Sequence, residues 1–226
     1  MRIVMVRSKS PAGIEPRLER EAAALARAGH QVDVLLWDRK LEFHEEEEHA
    51  SFSIHRCRVP APEGHLGLLP QLMRWWLWEI RTLLRLGPDV VHSCDLDTTI
   101  PALAFCRLRN RRFVYDIFDF YAYMIAQPLG TRTREVLART ERYVARRADL
   151  VILPDKSRVR QLGDGFSRPV VEVMNVPEQV EIKEQEEREF TVLYAGMISE
   201  ERGLRQLVEA TRLAGVNLVV AGHGSD

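Results

Sequence analysis

The chain has 226 residues, 46% of them hydrophobic, with 32 Lys and Arg against 33 Asp and Glu. That length allows one large α/β domain, or one domain and part of a second, and the apolar share excludes global disorder. A formal charge of −1 gives no general attraction to nucleic acid. In chain order, Ile3 to Val6 predicts a buried strand, Ser8 to Glu15 a polar loop, and Pro16 a helix start carrying Leu18, Ala22 and Leu25 up to Gly29. Val32 to Trp37 predicts the next strand, which makes a βαβ unit with a right-handed crossover and a parallel sheet. Glu45 to Glu48, between His44 and His49, reads as a solvated turn in preference to a metal site, and Ser51 to Val59 as a strand.

Gly64 to Gly87 is the densest apolar stretch and holds Trp75, Trp76 and Trp78, interrupted by Arg74, Arg81 and Arg85. Two readings stand side by side. One is a helix buried against the sheet; the other is an interfacial helix that meets a membrane through the three tryptophans. Beyond it the pattern predicts strands at Val90 to His92, Phe113 to Tyr115, Leu150 to Leu153 and Val170 to Met174. Helices are predicted at Thr98 to Arg107 and Arg134 to Arg147, and Asp155 caps a further helix that ends before Gly163. Glu178 to Glu189 is charged and nearly without apolar residues, which marks a linker. Strand Phe190 to Ala195, helix Leu204 to Leu213 and strand Val216 to Ala221 begin a second domain. The division expected is 1–178, a linker at 179–189, and 190–226 as the truncated start of that domain.

Ligands of open parallel sheets bind beyond the carboxyl ends of the strands. Ser10 and Gly13, Asp95 and Asp97, Asp116 and Asp119, Gly196, and Gly222 with Gly224 all fall at such ends. The four aspartates suit sugar hydroxyls or a general base, although carboxylates at these places are also ordinary helix caps. His92 follows apolar Val90 and Val91 and reads as a core or supporting histidine. The sequence has no GxGxxG after its first strand, no Walker pattern, no HExxH and no GxSxG. Cys57, Cys94 and Cys106 form no CxxC pair, which fits a reducing compartment. Met1 to Val6 is too short and too soon polar for a signal peptide, so a cytoplasmic location is expected.

Eight short segments in order resemble the retaining GT-B glycosyltransferases called family-4 transferases. Gly29-His30-Gln31-Val32 resembles their GHxV, and Pro88-Asp89-Val90-Val91-His92 their PDVVH. Cys94 to Thr98 and Phe113 to Asp116 resemble the AHDLDT and VVYD segments of one branch. Ala148 to Ile152 resembles ADxVI, and Val173-Met174-Asn175 resembles the VIPN that closes the first domain. Tyr194 to Leu204, including Gly196, Arg202 and Gly203, resembles YxGxxxxxKGL, and Leu218 to Gly224 resembles LxIVGxG.

The resemblance implies an α/β protein: a Rossmann-like parallel sheet with helices on both faces, then the first βαβ of a second Rossmann-like domain. It implies transfer of a sugar from a nucleotide-diphosphate-sugar donor to a glycan or lipid-linked acceptor, without cofactor or dedicated metal. Arg202 and Asp119 take the catalytic places, Arg202 meeting the leaving diphosphate. Gly196, Gly203, Gly222 and Gly224 join Arg202 at the donor, and Ser10, Gly13, Asp95, Asp97 and Asp116 hold the acceptor. The chain departs from the pattern at Met197, where many members carry arginine, and at Phe118, where one branch carries histidine. These departures and the stop at Asp226 suit an alternative, a non-catalytic module that binds glycan or a partner. Inactivity of the 226-residue chain alone, its self-association, and contact with the inner face of a membrane are further expectations.

Overall fold

A computed structural model describes residues 1–8, 13–61, 68–124, 126–176 and 190–224, without the side chains of residues 126–129 and 201. Two compact units are present, Met1–Val176 and Pro177–Asp226. The linker expected at 179–189 lies outside the described residues.

The first unit is built on eight strands: β1 Arg2–Arg7, β2 Gln31–Asp38, β3 Glu46–His49, β4 Phe52–Arg58, β5 Val90–Cys94, β6 Arg112–Asp116, β7 Leu150–Leu153 and β8 Val170–Glu172. Their order is β3-β4-β2-β1-β5-β6-β7-β8. All neighbours are parallel except β3, which pairs antiparallel with β4. The chain winds outward from β1 to one edge and then from β5 to the other, so the winding reverses between β1 and β5. In such sheets the loops diverge there and leave a crevice at the strand ends.

Alternation along the strands feeds two cores. Val4, Val6, Leu35 and Trp37 join one cluster with Trp75 and Leu83 of α2 (Leu68–Leu86), Phe105 of α3 (Leu96–Arg109) and Val144 of α5 (Ala126–Ala145). Ile3, Met5, Val34 and Leu36 join the other with Leu18 and Ala22 of α1 (Pro16–Arg27). Helices therefore cover both faces, as a buried parallel sheet requires. A short α4 (Tyr121–Met124) lies between β6 and α5. The second unit holds β9 Thr191–Ala195, α6 Leu204–Ala214 and β10 Asn217–Ala221, with β9 and β10 parallel.

Several expectations need correction. The acidic run is a strand, not a turn: Glu46 to Glu48 pair with Ser53 to His55. Glu47 meets Arg56 at 2.7 Å. A short charged edge strand of this kind discourages further pairing. His49 stacks on Phe52 at 4.4 Å and so closes the hairpin. Helix α3 starts at Leu96, two residues early, and runs through Pro101. Helix α5 starts at Ala126, eight residues early, with non-helical Gly130 (φ 79°, ψ 168°) inside it. Asp155 does cap, accepting from the Ser157 amide at 2.7 Å, but the turn it starts is a 3-10 helix. Trp75 is fully buried against Trp37, with ring centroids 5.8 Å apart. Trp76 and Trp78 pack partly buried on the same core, so the tryptophans chiefly line the inner side of α2.

Candidate functional site

The first unit gathers charge at the carboxyl edge of β1, β5 and β6. Arg7 ends β1, and its guanidinium lies 2.7 Å from Asp95 and 2.5 Å from Glu15. Arg17, from the first turn of α1, bonds Asp116 at 2.7 Å and Glu21 at 2.8 Å. The two guanidiniums stack over the Phe118 ring at 4.0 and 4.2 Å from its centroid. A phenyl ring between two cations is held by its quadrupole as well as by burial. Phe118 thus fills the place where a histidine was looked for and locks the edge.

Asp95 sits directly after β5 with φ 64° and ψ 166°, a positive-φ backbone outside the left-handed helical well that side chains adopt only under strain. It occupies the cap position of α3 but makes no cap bond there. Its Oδ1 instead accepts the amides of Phe118 (3.1 Å) and Asp119 (3.4 Å), tying the β5 and β6 loops together. Burial raises its pKa to about 6, with Arg7 opposing the rise. Asp97 follows in the first turn of α3. One of its oxygens accepts the Ser8 hydroxyl, and the other is buried without a hydrogen-bond partner. Trp76 donates to its carbonyl at 2.7 Å. An unpartnered buried carboxylate oxygen is costly to the fold.

Asp116 is fully buried and both its oxygens are committed, one to Arg17 and the other to His92 at 3.1 Å. The structure corrects its expected contact with acceptor: it supports the site from beneath. His92 is raised in pKa by its bond to Asp116, against the lowering effect of burial. His92, Cys94 and Asp116 bring three ligand-type atoms within 4.8 Å of one another. The Arg17 cation already serves Asp116, and burial pushes the Cys94 thiol well up, away from the thiolate a metal needs. Asp119 is exposed at the edge, 3.7 Å from Arg158. Gly13 lies in the bend after β1 with φ 84°, and Ser10 lies outside the described residues.

In the second unit, Arg202 is exposed at the end of a 3-10 turn, Glu200–Arg202, and Gly203 follows with φ 69°. Gly203 opens α6, and no side chain among the described residues caps that helix. Its first amides are free to meet an anion, and Arg202 stands beside them. A Cβ at Gly222 would lie 1.8 Å from the Gly196 carbonyl oxygen, and one at Gly224 would lie 2.6 Å from that of Ile198. Close packing of the two strand-end loops therefore already requires both glycines. Met197 is exposed in the same loop.

Sequence reasoning passed over Arg7, Arg17, Glu15 and Glu21, because single charged residues beside loops read as surface. The available signal was Arg7 at the end of an apolar strand, with Arg17 and Glu21 spaced i, i+4 on a helix.

Solved structures share this fold. Sucrose-phosphate synthase from Thermosynechococcus elongatus superposes with a TM-score of 0.69 at 14% identity, over 98% of this chain and 70% of that one. Anabaena HepE in complex with UDP and glucose gives 0.61 at 18%, over 100% and 62%. The UDP-GlcNAc 2-epimerase of Methanocaldococcus jannaschii gives 0.57 at 12%, over 97% and 65%. No curated protein matches the chain. The architecture is thus the Rossmann-like one of GT-B proteins. The chain belongs to the glycosyl transferase 4-like domain family, whose model matches residues 12–177.

Proposed function

We propose that this chain supplies the acceptor domain and the first donor-site elements of a retaining glycosyltransferase. A sugar moves from a nucleotide diphosphate to a hydroxyl of a glycan or lipid-linked acceptor. The family match supports transfer. HepE, of similar fold, is seen with UDP and glucose, which supports a nucleotide-linked hexose as donor. The observation that carries the donor assignment is the exposed Arg202 beside the uncapped start of α6. Charge develops on the leaving diphosphate in the transition state, and a fixed cation with free helix amides meets it. Met197 supplies no charge in that loop, so Arg202 carries the larger share. Gly196 and Gly203 let the backbone approach, while Gly222 and Gly224 hold the loops together. On the acceptor side, exposed Asp119 faces the hydroxyls, while Asp97, held by the Ser8 hydroxyl, and Asp95 and Asp116 keep the edge rigid.

In the whole protein, Arg202→Ala lowers kcat by about 100-fold or more, the scale for removing one preorganised donor. Arg202→Lys recovers much of the loss, because a lysine ammonium also meets phosphate charge. Near-normal turnover of folded Arg202→Ala, measured with a nucleotide-sugar and released nucleotide as readout, moves the donor site elsewhere. The 226-residue chain alone, lacking part of the length its structural neighbours have, gives no turnover above a no-enzyme control.

A further inference from the structure

Helix α2 keeps two of its sides for two different environments. Trp75, Glu79, Thr82 and Leu83 are buried against the sheet. On the solvent side, Leu69, Met73, Leu77 and Leu84 are 67%, 46%, 51% and 47% exposed. At 100° per residue these four fall within one quadrant of the helix, and Ile80 lies among them. Arg74, Arg81 and Arg85 form a second exposed row alongside that ridge. Glu79 is the one acid of the helix, and it is buried. The outward surface of α2 is therefore apolar on one flank and cationic on the other, in a chain whose formal charge is −1. Arg74 and Arg81 make no ion pair with a described residue. Arg85 meets Glu46 at 3.4 Å in a pair exposed on both sides, which binds weakly.

A soluble helix needs one apolar stripe, and α2 already buries one. A second, unpartnered ridge costs solubility unless something covers it. No helix among the described residues is long and apolar enough to cross a bilayer. Nineteen residues lying flat instead present a strip about 28 Å long. Leucine and methionine suit the acyl boundary, and arginine suits anionic headgroups beside it.

We propose that the outer face of α2 is a membrane-docking surface, with Leu69, Met73, Leu77 and Leu84 entering the interface of an anionic phospholipid bilayer and Arg74, Arg81 and Arg85 pairing with its headgroups. This replaces the tryptophans as the contact: Trp75 is in the core. The inference stands on the helix alone and does not depend on the transfer reading.

The test is co-sedimentation of the whole chain with two kinds of vesicle. One is phosphatidylcholine alone, the other an equal mixture with phosphatidylglycerol. Binding is expected to the mixed vesicles and to fall as salt rises. Arg74→Gln/Arg81→Gln/Arg85→Gln lowers the partition coefficient by about 100-fold, close to fivefold per charge. Leu69→Ser/Leu77→Ser lowers it about tenfold or more without loss of folding, since both side chains lie outside the core. Leu108→Ser, at an 85% exposed leucine of α3 outside the ridge, leaves it unchanged. Equal binding to neutral and anionic vesicles, or an equal loss with Leu108→Ser, overturns the proposal. So does a dimer in sedimentation that Leu69→Ser/Leu77→Ser turns into a monomer while vesicle binding is absent, because the ridge is then an interface between copies.

Discussion

At the scale of single residues, the carboxyl edge of the first unit is a balance of buried charge. Arg17 serves Asp116 and Glu21 at once, and Asp116 has no exposure at all. Removing one member of such a group leaves its partners desolvated and unpaired, which costs more than the group contributes when whole. Arg17→Met is expected to destabilise the chain by about 3–5 kcal/mol, read from chemical denaturation. Arg17→Lys recovers little, because one ammonium cannot bond both carboxylates and stack on Phe118. The same edge sets a pH dependence. Burial raises Glu21 and Glu141 to about 7 and Asp95 to about 6, above the ordinary carboxylate range. The folded state then holds protons that the unfolded state releases from about pH 4.5 upward. Linkage makes stability fall as pH rises through that window, until the folded groups ionise near 7. His92, raised by Asp116, adds in the same direction, since its share is lost as pH climbs past its folded value. Glu141 can be tested singly. It accepts the amides of Tyr121 (2.7 Å) and Ala122 (3.3 Å), and glutamine keeps one such acceptor. Glu141→Gln is expected to flatten the loss of Tm between pH 5 and about pH 7 while leaving the fold intact. An unchanged slope assigns the proton uptake to other groups.

At the scale of elements, α2 again gives the clearest case. Glu79 is fully buried and neither of its oxygens has a hydrogen-bond partner. Burial pushes its pKa well up, and Asp97 adds like-charge repulsion in the same direction. A buried polar group without a partner subtracts from stability, and a side chain of similar shape without it restores the difference. Glu79→Met is expected to raise Tm by about 2–6 °C in calorimetry. A lower Tm places an unseen polar partner beside it. Element order was legible wherever periodicity was strong: Ile3 to Val6, Val32 to Trp37 and Leu204 to Leu213 gave the two βαβ starts. It failed where tertiary contact overrode local preference. Four consecutive acids do not favour a strand, yet the hairpin with Phe52–Arg58 pairs three of them, Glu46 to Glu48, at an exposed edge. The three tryptophans left a buried and an interfacial reading of α2 open, because composition does not say which side of a helix faces the sheet. The placement of Asp95 and Asp97 after β5 could be anticipated from strand ends. The Arg7–Phe118–Arg17 stack could not, because residues this far apart in sequence meet only through the β1–β5–β6 register.

For the molecule as a whole, the two units differ in what holds them. Both hydrophobic clusters lie entirely within Met1–Val176, as do all eight strands of the larger sheet. In the second unit, β9 alternates between exposed and half-buried, β10 is exposed except for half-buried Leu218, and Thr211 is the one buried residue of α6. Two strands and one helix bury too little to be stable alone, whereas a covered eight-stranded sheet is ample. Cooperative unfolding should therefore belong to the first unit. A fragment of residues 1–176 is expected to unfold in one calorimetric transition, within a few degrees of the whole chain. Its enthalpy should scale with its length at about 0.7 kcal/mol per residue. A fragment that melts much earlier, or in a broad non-cooperative transition, shows that the second unit contributes to the core of the first.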